Sequence, residues 1–175
     1  MGVEIERKFL VDEEKMWAIL GRVLDPKIKR YPDLNITQWY LNDNTRIRCE
    51  ADRHQHSKFT LTMKSNRPAG EFTRDEVEQE ISKDFYQIII QFDWPKIRKE
   101  RYFFAYGWTV DKFCFSNPDD FNDVTYLFLA EIELESEDEK IVMPEWVAEE
   151  VTHDKRYYNS YLAKNPYKNW STDNE

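Results

Sequence analysis

Three charged residues recur at every second position near the start of the chain: Glu4, Glu6 and Lys8. Alternate residues of a β-strand point to the same face, so the two carboxylates and the ammonium group form one row. Neighbouring carboxylates repel each other unless a positive charge lies between them, and a hard divalent cation suits such oxygens. The lysine is then placed to hold an anion that the metal binds. The row predicts a site that binds a phosphate group through a metal ion.

The same arrangement recurs on other predicted strands, and this recurrence favours a site over a solvated edge strand of mixed charge. The basic residues at strand spacing are Lys8, Arg46, Arg48, Lys64, Arg74, Lys99 and Arg101. The acidic residues at strand spacing are Glu4, Glu6, Glu76, Glu78, Asp111, Glu131 and Glu133. Arginine binds phosphate oxygens through a bidentate fork and lysine binds them as a point charge. Carboxylates are suited to Mg²⁺ or Mn²⁺.

Short strands, separated by turn signals or short helices, must position these rows. The predicted strands cover residues 1–11, 36–41, 45–50, 58–64, 73–81, 97–105, 108–115 and 126–135. Helices are predicted after Asp12, after Ser82, from Pro144 and near the end of the chain, and residues 117–123 are predicted to form an acidic loop. Strands and helices do not alternate regularly, which disfavours a parallel βαβ fold. The sequence predicts a single α+β domain on a mostly antiparallel sheet.

At least six predicted strands have one charged or hydroxylic face and one apolar face. In an open sheet, a few helices of modest length would have to cover every apolar face. Closure into a barrel of about eight strands turns the charged face inward and leaves room for one small ligand. Desolvated ions inside must be compensated by each other, by metal or by a bound anion. We therefore expect a closed, eight-stranded antiparallel β-barrel with a few flanking helices and a C-terminal helix.

The composition supports one domain and excludes several classes of protein. The chain has 175 residues, of which 41% are hydrophobic and 15% aromatic, enough for a sizeable core. A formal net charge of -9 disfavours a nucleic-acid binder. No apolar run approaches the length of a membrane span, and no signal peptide is visible, so we expect a cytoplasmic protein. Cys49 and Cys114 are too few for a disulfide framework.

The motifs and their order resemble the CYTH superfamily, the triphosphate tunnel metalloenzymes. Glu4-Ile5-Glu6-Arg7-Lys8 is similar to the N-terminal ExExK signature of that family. Further similar motifs follow in family order: Arg46-Ile47-Arg48, Thr62-Met63-Lys64, Arg74 with Glu76 and Glu78, Lys99-Glu100-Arg101-Tyr102, Val110-Asp111, Glu131-Ile132-Glu133 and Asp154-Lys155-Arg156-Tyr157. We expect residues 1–165 to form one CYTH-like tunnel domain and residues 166–175 to form a frayed tail.

The resemblance implies roles for particular residues. Metal binding and water activation are implied for Glu4, Glu6, Glu131 and Glu133. Phosphate binding is implied for Lys8, Arg46, Arg48, Lys64 and Arg101, and Lys155 looks like another phosphate contact. Lys99 resembles a family lysine placed near the scissile group. The expected catalytic residues are thus Glu6, Glu133 and Lys99, acting with Mg²⁺ or Mn²⁺.

The expected activity is metal-dependent hydrolysis of the terminal phosphoanhydride bond of inorganic triphosphate (tripolyphosphate) or a related triphosphate. Two alternatives from the same family are a class IV adenylyl cyclase and a thiamine or nucleoside triphosphatase. For these, Trp39, Tyr40 or Trp108 could stack on a base. A non-catalytic polyphosphate binder is a further alternative, which the intact acidic pairs disfavour. The expected partner is a small-molecule triphosphate, without nucleic acid or membrane, bound by a monomer or homodimer.

Overall fold

The structure, a computed structural model, describes residues 2–23, 32–68, 73–117 and 120–170. Within these ranges the chain forms nine strands: β1 (Gly2–Val11), β2 (Leu34–Asn42), β3 (Thr45–Asp52), β4 (Ser57–Pro68), β5 (Thr73–Glu80), β6 (Lys96–Phe103), β7 (Trp108–Asn117), β8 (Asp120–Glu133) and β9 (Val147–Glu150). The α-helices in the same ranges are α1 (Glu13–Val23), α2 (Lys83–Ile89) and α3 (Asn159–Lys164). Short 3₁₀ helices lie at Ala105–Gly107, Lys155–Tyr157 and Tyr167–Asn169.

All nine strands belong to one sheet in the order β5-β4-β3-β2-β6-β7-β8-β1-β9. Every pairing between them is antiparallel, as expected for strands joined by short hairpins and short helices. Strand β1 pairs with three others. It meets β8 over Glu6–Leu10, β5 over Gly2–Ile5, and β9 at Phe9 and Val11.

The prediction of a closed eight-stranded barrel is wrong. The structure has a single antiparallel sheet of nine strands, in which β1 meets β5 over only four residue pairs. The ninth strand, β9, pairs with the other half of β1, where we had predicted a helical piece starting at Pro144. That strand is only four residues long, and three of them are exposed. It therefore lacks the alternation of apolar and polar residues that makes a strand visible in a sequence.

The predicted acidic loop is also shorter than expected. Strand β7 continues to Asn117 and β8 begins at Asp120, with Ser116 paired to Val124. Residues 118 and 119 lie outside the described ranges. Strands β7 and β8 therefore include most of the segment that is predicted to form a loop, with an irregular register between Ser116 and Asn117.

Local sequence explains where two of the helices start. Asp12 caps α1, since its side chain accepts a hydrogen bond from the backbone N–H of Lys15, and two glutamates follow in the first turn. Ser82 caps α2 in the same way, with its hydroxyl accepting from the backbone N–H of Phe85. Helix α2 lies on the sheet through Tyr86, which stacks on Phe59 at 4.3 Å between ring centroids.

None of the helices in the described part of the chain is long and apolar enough to cross a membrane.

Two separate apolar clusters form the core. The first contains Phe9, Met16, Trp108, Val110, Phe128, Ala130, Ile132, Leu134 and Trp146. The second contains Tyr40, Ile97, Phe113, Phe115, Leu127, Leu129, Val151 and Leu162. Phe113 and Leu129 each lie two residues from a charged residue of their strand, Asp111 and Glu131, and so share its face. The charged face of the sheet is therefore apolar at one end, where α3 buries Leu162 completely.

Part of the predicted tail contacts this second cluster. Tyr167 and Trp170 pack against it, and the two rings lie 4.9 Å apart in a T-shaped arrangement. Residues 171–175 lie outside the described ranges. The division of the chain into a domain of residues 1–165 and a tail of residues 166–175 stays a prediction.

Candidate functional site

Strand pairing brings the charged rows together on one face of the sheet. Lys8 lies opposite Glu131 on β8, Glu6 lies opposite Glu133, and Arg101 lies opposite Asp111 on β7. Directly paired residues of antiparallel strands project to the same face. We call this surface the polar face; its charged residues with described side chains include Glu6, Lys8, Arg46, Arg48, Lys64, Glu76, Glu78, Lys99, Arg101, Asp111, Glu131 and Glu133.

Five of these residues form a buried ion-pair cluster: Lys8, Lys99, Arg101, Asp111 and Glu131. Asp111 is 0% exposed, and its two oxygens accept hydrogen bonds from Arg101, at 2.7 Å from Nε and 2.6 Å from Nη2. Asp111 Oδ2 also accepts from Lys99 Nζ. Glu131 accepts from Lys8 Nζ through one oxygen and from Arg101 Nη2 through the other, each at 2.5 Å. Four strands thus contribute to a single network.

The charge states in the ion-pair cluster follow from these contacts. Burial alone would lower the pKa of Lys8, but the carboxylates of Glu131 and Glu6 outweigh it and raise that pKa. Burial would also lower the pKa of Arg101, but the carboxylates of Asp111 and Glu131 outweigh this effect and raise that pKa. Burial would raise the pKa of Glu131, but three neighbouring cations hold it well below its usual value. These three groups therefore stay charged over a wide pH range.

Lys99 differs from the other cations of the cluster. Burial lowers its pKa to about 8, and the attraction of Asp111 only partly offsets this effect because Arg101 and Lys8 repel its charge. Its side chain also lies near the ring of Phe113, with Nζ 5.4 Å from the centroid. Lys99 is therefore the cation of the cluster that gives up its proton most easily.

A second group of basic residues lies on β3 and β4. Arg48 forms an ion pair with Glu50, and Lys64 Nζ lies 2.9 Å from Glu76 Oε2. Burial lowers the pKa of Arg48, and the nearby charges of Arg46 and Arg101 lower it further. The Nε atom of Arg48 is buried and has no hydrogen-bond partner in the structure. This strand pair thus presents basic groups that are only partly compensated by protein carboxylates.

Tyr40 marks the point where the basic groups of three strands converge. Burial raises the pKa of its hydroxyl, whereas Arg46, Lys8 and Lys64 act in the opposite direction, so all three cations lie near this group. The hydroxyl donates a hydrogen bond to Gln38 Oε1 at 2.9 Å. Sequence reasoning missed Gln38 as a member of the site and considered Tyr40 only as a residue that could stack on a base. Their two-residue spacing on β2, which places both on the polar face, was the available signal.

Glu6 and Glu133 form the carboxylate pair at the margin of the polar face. They lie directly opposite each other on β1 and β8, and Lys8 Nζ is 3.4 Å from Glu6 Oε1. Glu133 is exposed and Glu6 is half-buried. Opposed carboxylates are unfavourable without a nearby cation, and their oxygens are hard donors suited to Mg²⁺ or Mn²⁺. Among the residues whose side chains are described, no group of three or more His, Cys, Asp or Glu could hold a metal ion.

The other predicted site residues have different positions. Glu78 accepts a hydrogen bond from Thr62 on the neighbouring strand β4, at 2.9 Å. Lys155 is exposed on the 3₁₀ helix Lys155–Tyr157. The side chains of Glu4 and Arg74 lie outside the described residues, although their backbones pair with each other across β1 and β5. The roles predicted for all these residues stay predictions.

Comparison with known proteins identifies the family. Residues 2–160 match the family described as the CYTH domain. The chain belongs to the CYTH domain family. The resemblance predicted from the sequence motifs is thereby confirmed.

Two curated relatives of this CYTH domain are named inorganic triphosphatase. The protein from Acetivibrio thermocellus is 34% identical over 179 residues, covering 97% of this chain and 99% of the relative. The protein from Nitrosomonas europaea is 31% identical over 170 residues, covering 91% of this chain and 96% of the relative. A solved structure of an inorganic triphosphatase is 27% identical, covers 91% of this chain and 97% of that chain, and superposes with a TM-score of 0.47.

Proposed function

We propose that this CYTH domain hydrolyses the terminal phosphoanhydride bond of inorganic triphosphate in a reaction that depends on a divalent metal. The observation that carries the proposal is the gathering of basic residues on one face of the sheet, with Lys8, Lys99 and Arg101 in the buried ion-pair cluster and Arg46, Arg48 and Lys64 on the strands β3 and β4. Basic groups from separate strands, held in a largely buried face, are suited to a compact anion with several phosphates. The names of the two curated relatives support the same activity.

The phosphate-binding residues are proposed to be Lys8, Arg46, Arg48, Lys64 and Arg101. Burial has already removed much of the hydration of these cationic groups. Binding an anion therefore costs them little further desolvation free energy. Arg74 and Lys155 are further proposed contacts, at positions that the sequence motifs suggest. Because a triphosphate has more oxygens than any one arginine or lysine can bind, several strands must contribute.

Glu6 and Glu133 are the residues proposed to hold Mg²⁺ or Mn²⁺, with Glu4 as a further candidate. Magnesium in phosphoryl-transfer sites is commonly held by one or two carboxylates together with substrate phosphates, so this pair is sufficient. When bound, the metal supplies charge neutralisation on the phosphate oxygens and lowers the pKa of a bound water. Glu76 and Glu78 on β5 remain proposed ligands that lie further along the polar face.

The protein itself contributes positioning and proton transfer. Phosphoryl transfer requires little covalent participation, so the main tasks are to orient the anion and the attacking water. Glu6 or Glu133 is proposed to orient the water and accept its proton, since both carboxylates lie at the margin that the water can reach. The Lys99 ammonium is proposed to act close to the scissile phosphate.

The aromatic residues favour an inorganic substrate over a nucleotide or thiamine ester. Trp108 is 0% exposed and packs against Phe9 and Trp146. Trp39 packs edge-on against Tyr86, and the Tyr40 hydroxyl is hydrogen-bonded to Gln38. The three side chains considered for base stacking are therefore already packed within the protein. A substrate without a base needs no such platform.

A substrate panel tests the proposal. Phosphate release is measured from tripolyphosphate, pyrophosphate, ATP and thiamine triphosphate, each with Mg²⁺, Mn²⁺ or excess EDTA. We expect kcat/KM to be highest for tripolyphosphate and activity to disappear in EDTA. Preference for ATP or thiamine triphosphate, or undiminished activity in EDTA, would contradict the proposal. The cytoplasmic location and the monomer or homodimer state stay predictions.

A further inference from the structure

We infer that Asp111 and Glu131 are positioning residues that hold the phosphate-binding cations in place, and that neither is a metal ligand. This inference rests on the proposed triphosphatase function and refines the sequence prediction, which placed both carboxylates among the metal-binding residues. It assigns the metal to the margin of the polar face and the anion to its buried part.

The first argument is the occupancy of the carboxylate oxygens. Both oxygens of Asp111 accept hydrogen bonds from Arg101, and Oδ2 also accepts from Lys99. One oxygen of Glu131 accepts from Lys8 and the other from Arg101. Each of the four oxygens thus faces a cation of the protein. A metal ion bound there would have to displace an ammonium or guanidinium group from a buried contact.

The second argument is the balance of charge. The ion-pair cluster contains three cations and two carboxylates, and the carboxylate of Glu6 lies at its edge, 3.4 Å from Lys8 Nζ. A divalent cation entering this cluster would meet three like charges within a few ångströms, where low solvent exposure strengthens the repulsion. An anion would meet attraction at the same place. The three cations around Asp111 and Glu131 therefore favour a phosphate oxygen over a metal ion at these two carboxylates.

The third argument is the position of the two carboxylates between the strands that carry the cations. The carboxylates lie on β7 and β8, whereas the cations lie on the flanking strands β6 and β1. Arg101 donates to both carboxylates and so joins them into one unit. Long basic side chains lose rotamer freedom when they bind an anion. Asp111 and Glu131 restrict these rotamers before the substrate arrives, which is the effect that we assign to them.

Binding measurements without catalysis test the inference. Asp111→Asn and Glu131→Gln remove one negative charge each, and tripolyphosphate binding is measured by calorimetry in excess EDTA. If these carboxylates only added charge, their removal would strengthen anion binding. If they position Lys8, Lys99 and Arg101, binding weakens by about tenfold or more. In the same variants, Mn²⁺ affinity without phosphate is expected to stay within about threefold of the wild-type value, in contrast to the larger losses expected when a metal ligand is removed.

Glu100→Gln is the matched control. Glu100 lies on β6 between Lys99 and Arg101, but it points to the other face, where it accepts from Tyr102 and Lys112. We expect this variant to bind tripolyphosphate in EDTA like the wild-type protein. Tighter anion binding by Asp111→Asn and Glu131→Gln, or a tenfold loss of their Mn²⁺ affinity, would overturn the inference.

A second measurement uses the wild-type protein and so does not depend on the folding of a variant. Crystals soaked in MnCl₂ without phosphate are used to locate the metal by anomalous scattering. We expect the metal on Glu6 and Glu133; a metal bonded to Asp111 or Glu131 would overturn the inference. Hydrolysis is assayed separately. Wild-type protein that binds tripolyphosphate in EDTA but never hydrolyses it contradicts the proposed function alone.

Discussion

Arg101 and Asp111 form a bidentate ion pair across β6 and β7, with Nε–Oδ1 and Nη2–Oδ2 distances of 2.7 and 2.6 Å. The planar guanidinium is matched to the carboxylate in this geometry, and a lysine could not reproduce it. Because Arg101 also donates to Glu131, one side chain links both buried carboxylates of the polar face. The ion pairs of this region therefore depend on one residue, which is also proposed to bind phosphate.

Arg101→Met is expected to destabilise the protein by about 3–5 kcal/mol, because removal of one member of a buried ion pair leaves uncompensated charge. Arg101→Lys keeps the charge but loses the fork, so we expect a smaller loss of stability and a raised KM. Urea unfolding and steady-state kinetics provide the two measurements. Arg98→Met, at an exposed position on the same strand, serves as the control. Equal stability of Arg101→Met and Arg98→Met would contradict this account of the ion-pair cluster.

Glu6→Gln and Glu133→Gln are expected to lower kcat by about 10²–10⁴-fold, the range typical for loss of a group that transfers a proton. Both variants should remain folded, because Glu133 is exposed and Glu6 lies at the margin of the polar face. Circular dichroism and kcat are measured together, with Glu135→Gln, at an exposed glutamate just beyond the end of β8, as the control. Wild-type turnover by both variants would show that neither glutamate acts on the water.

Much of this site could be predicted from the sequence because strand alternation is a strong signal. Glu6 and Lys8 on β1, and Arg46 and Arg48 on β3, each share one face of a paired strand, as the spacing indicated. Strand alternation did not predict where the side chains of one face change from charged to apolar along a strand. Phe113 shares a face with Asp111, so the buried apolar end of the polar face was not visible from the spacing alone.

Other features depend on contacts that sequence spacing does not encode. The partners of Glu131 come from strands distant in the chain, Lys8 on β1 and Arg101 on β6. The partners of Asp111 lie on the preceding strand β6, and spacing within one strand does not show that they occupy both of its oxygens. Strand β9 pairs with β1 at Phe9 and Val11, beyond the residues of β1 that pair with β5. Such a short, exposed strand has no periodic pattern of its own.

Lys64→Ala and Arg48→Ala are expected to raise the KM for tripolyphosphate by about tenfold, a loss of roughly 1.4 kcal/mol of binding free energy for each variant. The affinity for Mg²⁺ or Mn²⁺ should change much less, because neither side chain is a metal ligand. Kinetics and metal titration separate the two effects. Lys83→Ala, at an exposed position on α2, removes the same charge elsewhere and should leave KM unchanged. A larger change in metal affinity than in KM would contradict the phosphate-binding role.

The Arg7–Glu150 ion pair between β1 and β9 predicts a pH-dependent contribution to stability. The hydrogen bond from Arg7 Nε to Glu150 Oε1, at 2.8 Å, lowers the pKa of Glu150 below its usual value. A depressed carboxylate pKa in the folded state stabilises the protein above the unfolded-state pKa, and the effect is lost as the pH falls through the folded-state value. Glu150→Gln should therefore cost about 0.2–1 kcal/mol at pH 7 and progressively less below pH 4.

Thermal unfolding of the wild-type protein and Glu150→Gln at a series of pH values measures this difference. A loss of 1 kcal/mol corresponds to a Tm shift of about 2–4 °C for a chain of this length. Glu149→Gln, the exposed neighbour on β9, removes the same charge and controls for the change in net charge. We expect the Tm difference between Glu150→Gln and the wild type to shrink as the pH falls. A difference that grows on acidification would contradict the effect expected of this ion pair.

The most direct test of the central claim is the product balance of tripolyphosphate cleavage, followed by ³¹P NMR with the purified protein and Mg²⁺ or Mn²⁺. Hydrolysis of the terminal phosphoanhydride bond predicts one orthophosphate and one pyrophosphate for each tripolyphosphate consumed, with no reaction in excess EDTA. An unchanged tripolyphosphate spectrum in the presence of both metals would contradict the claim that the polar face is a triphosphatase site.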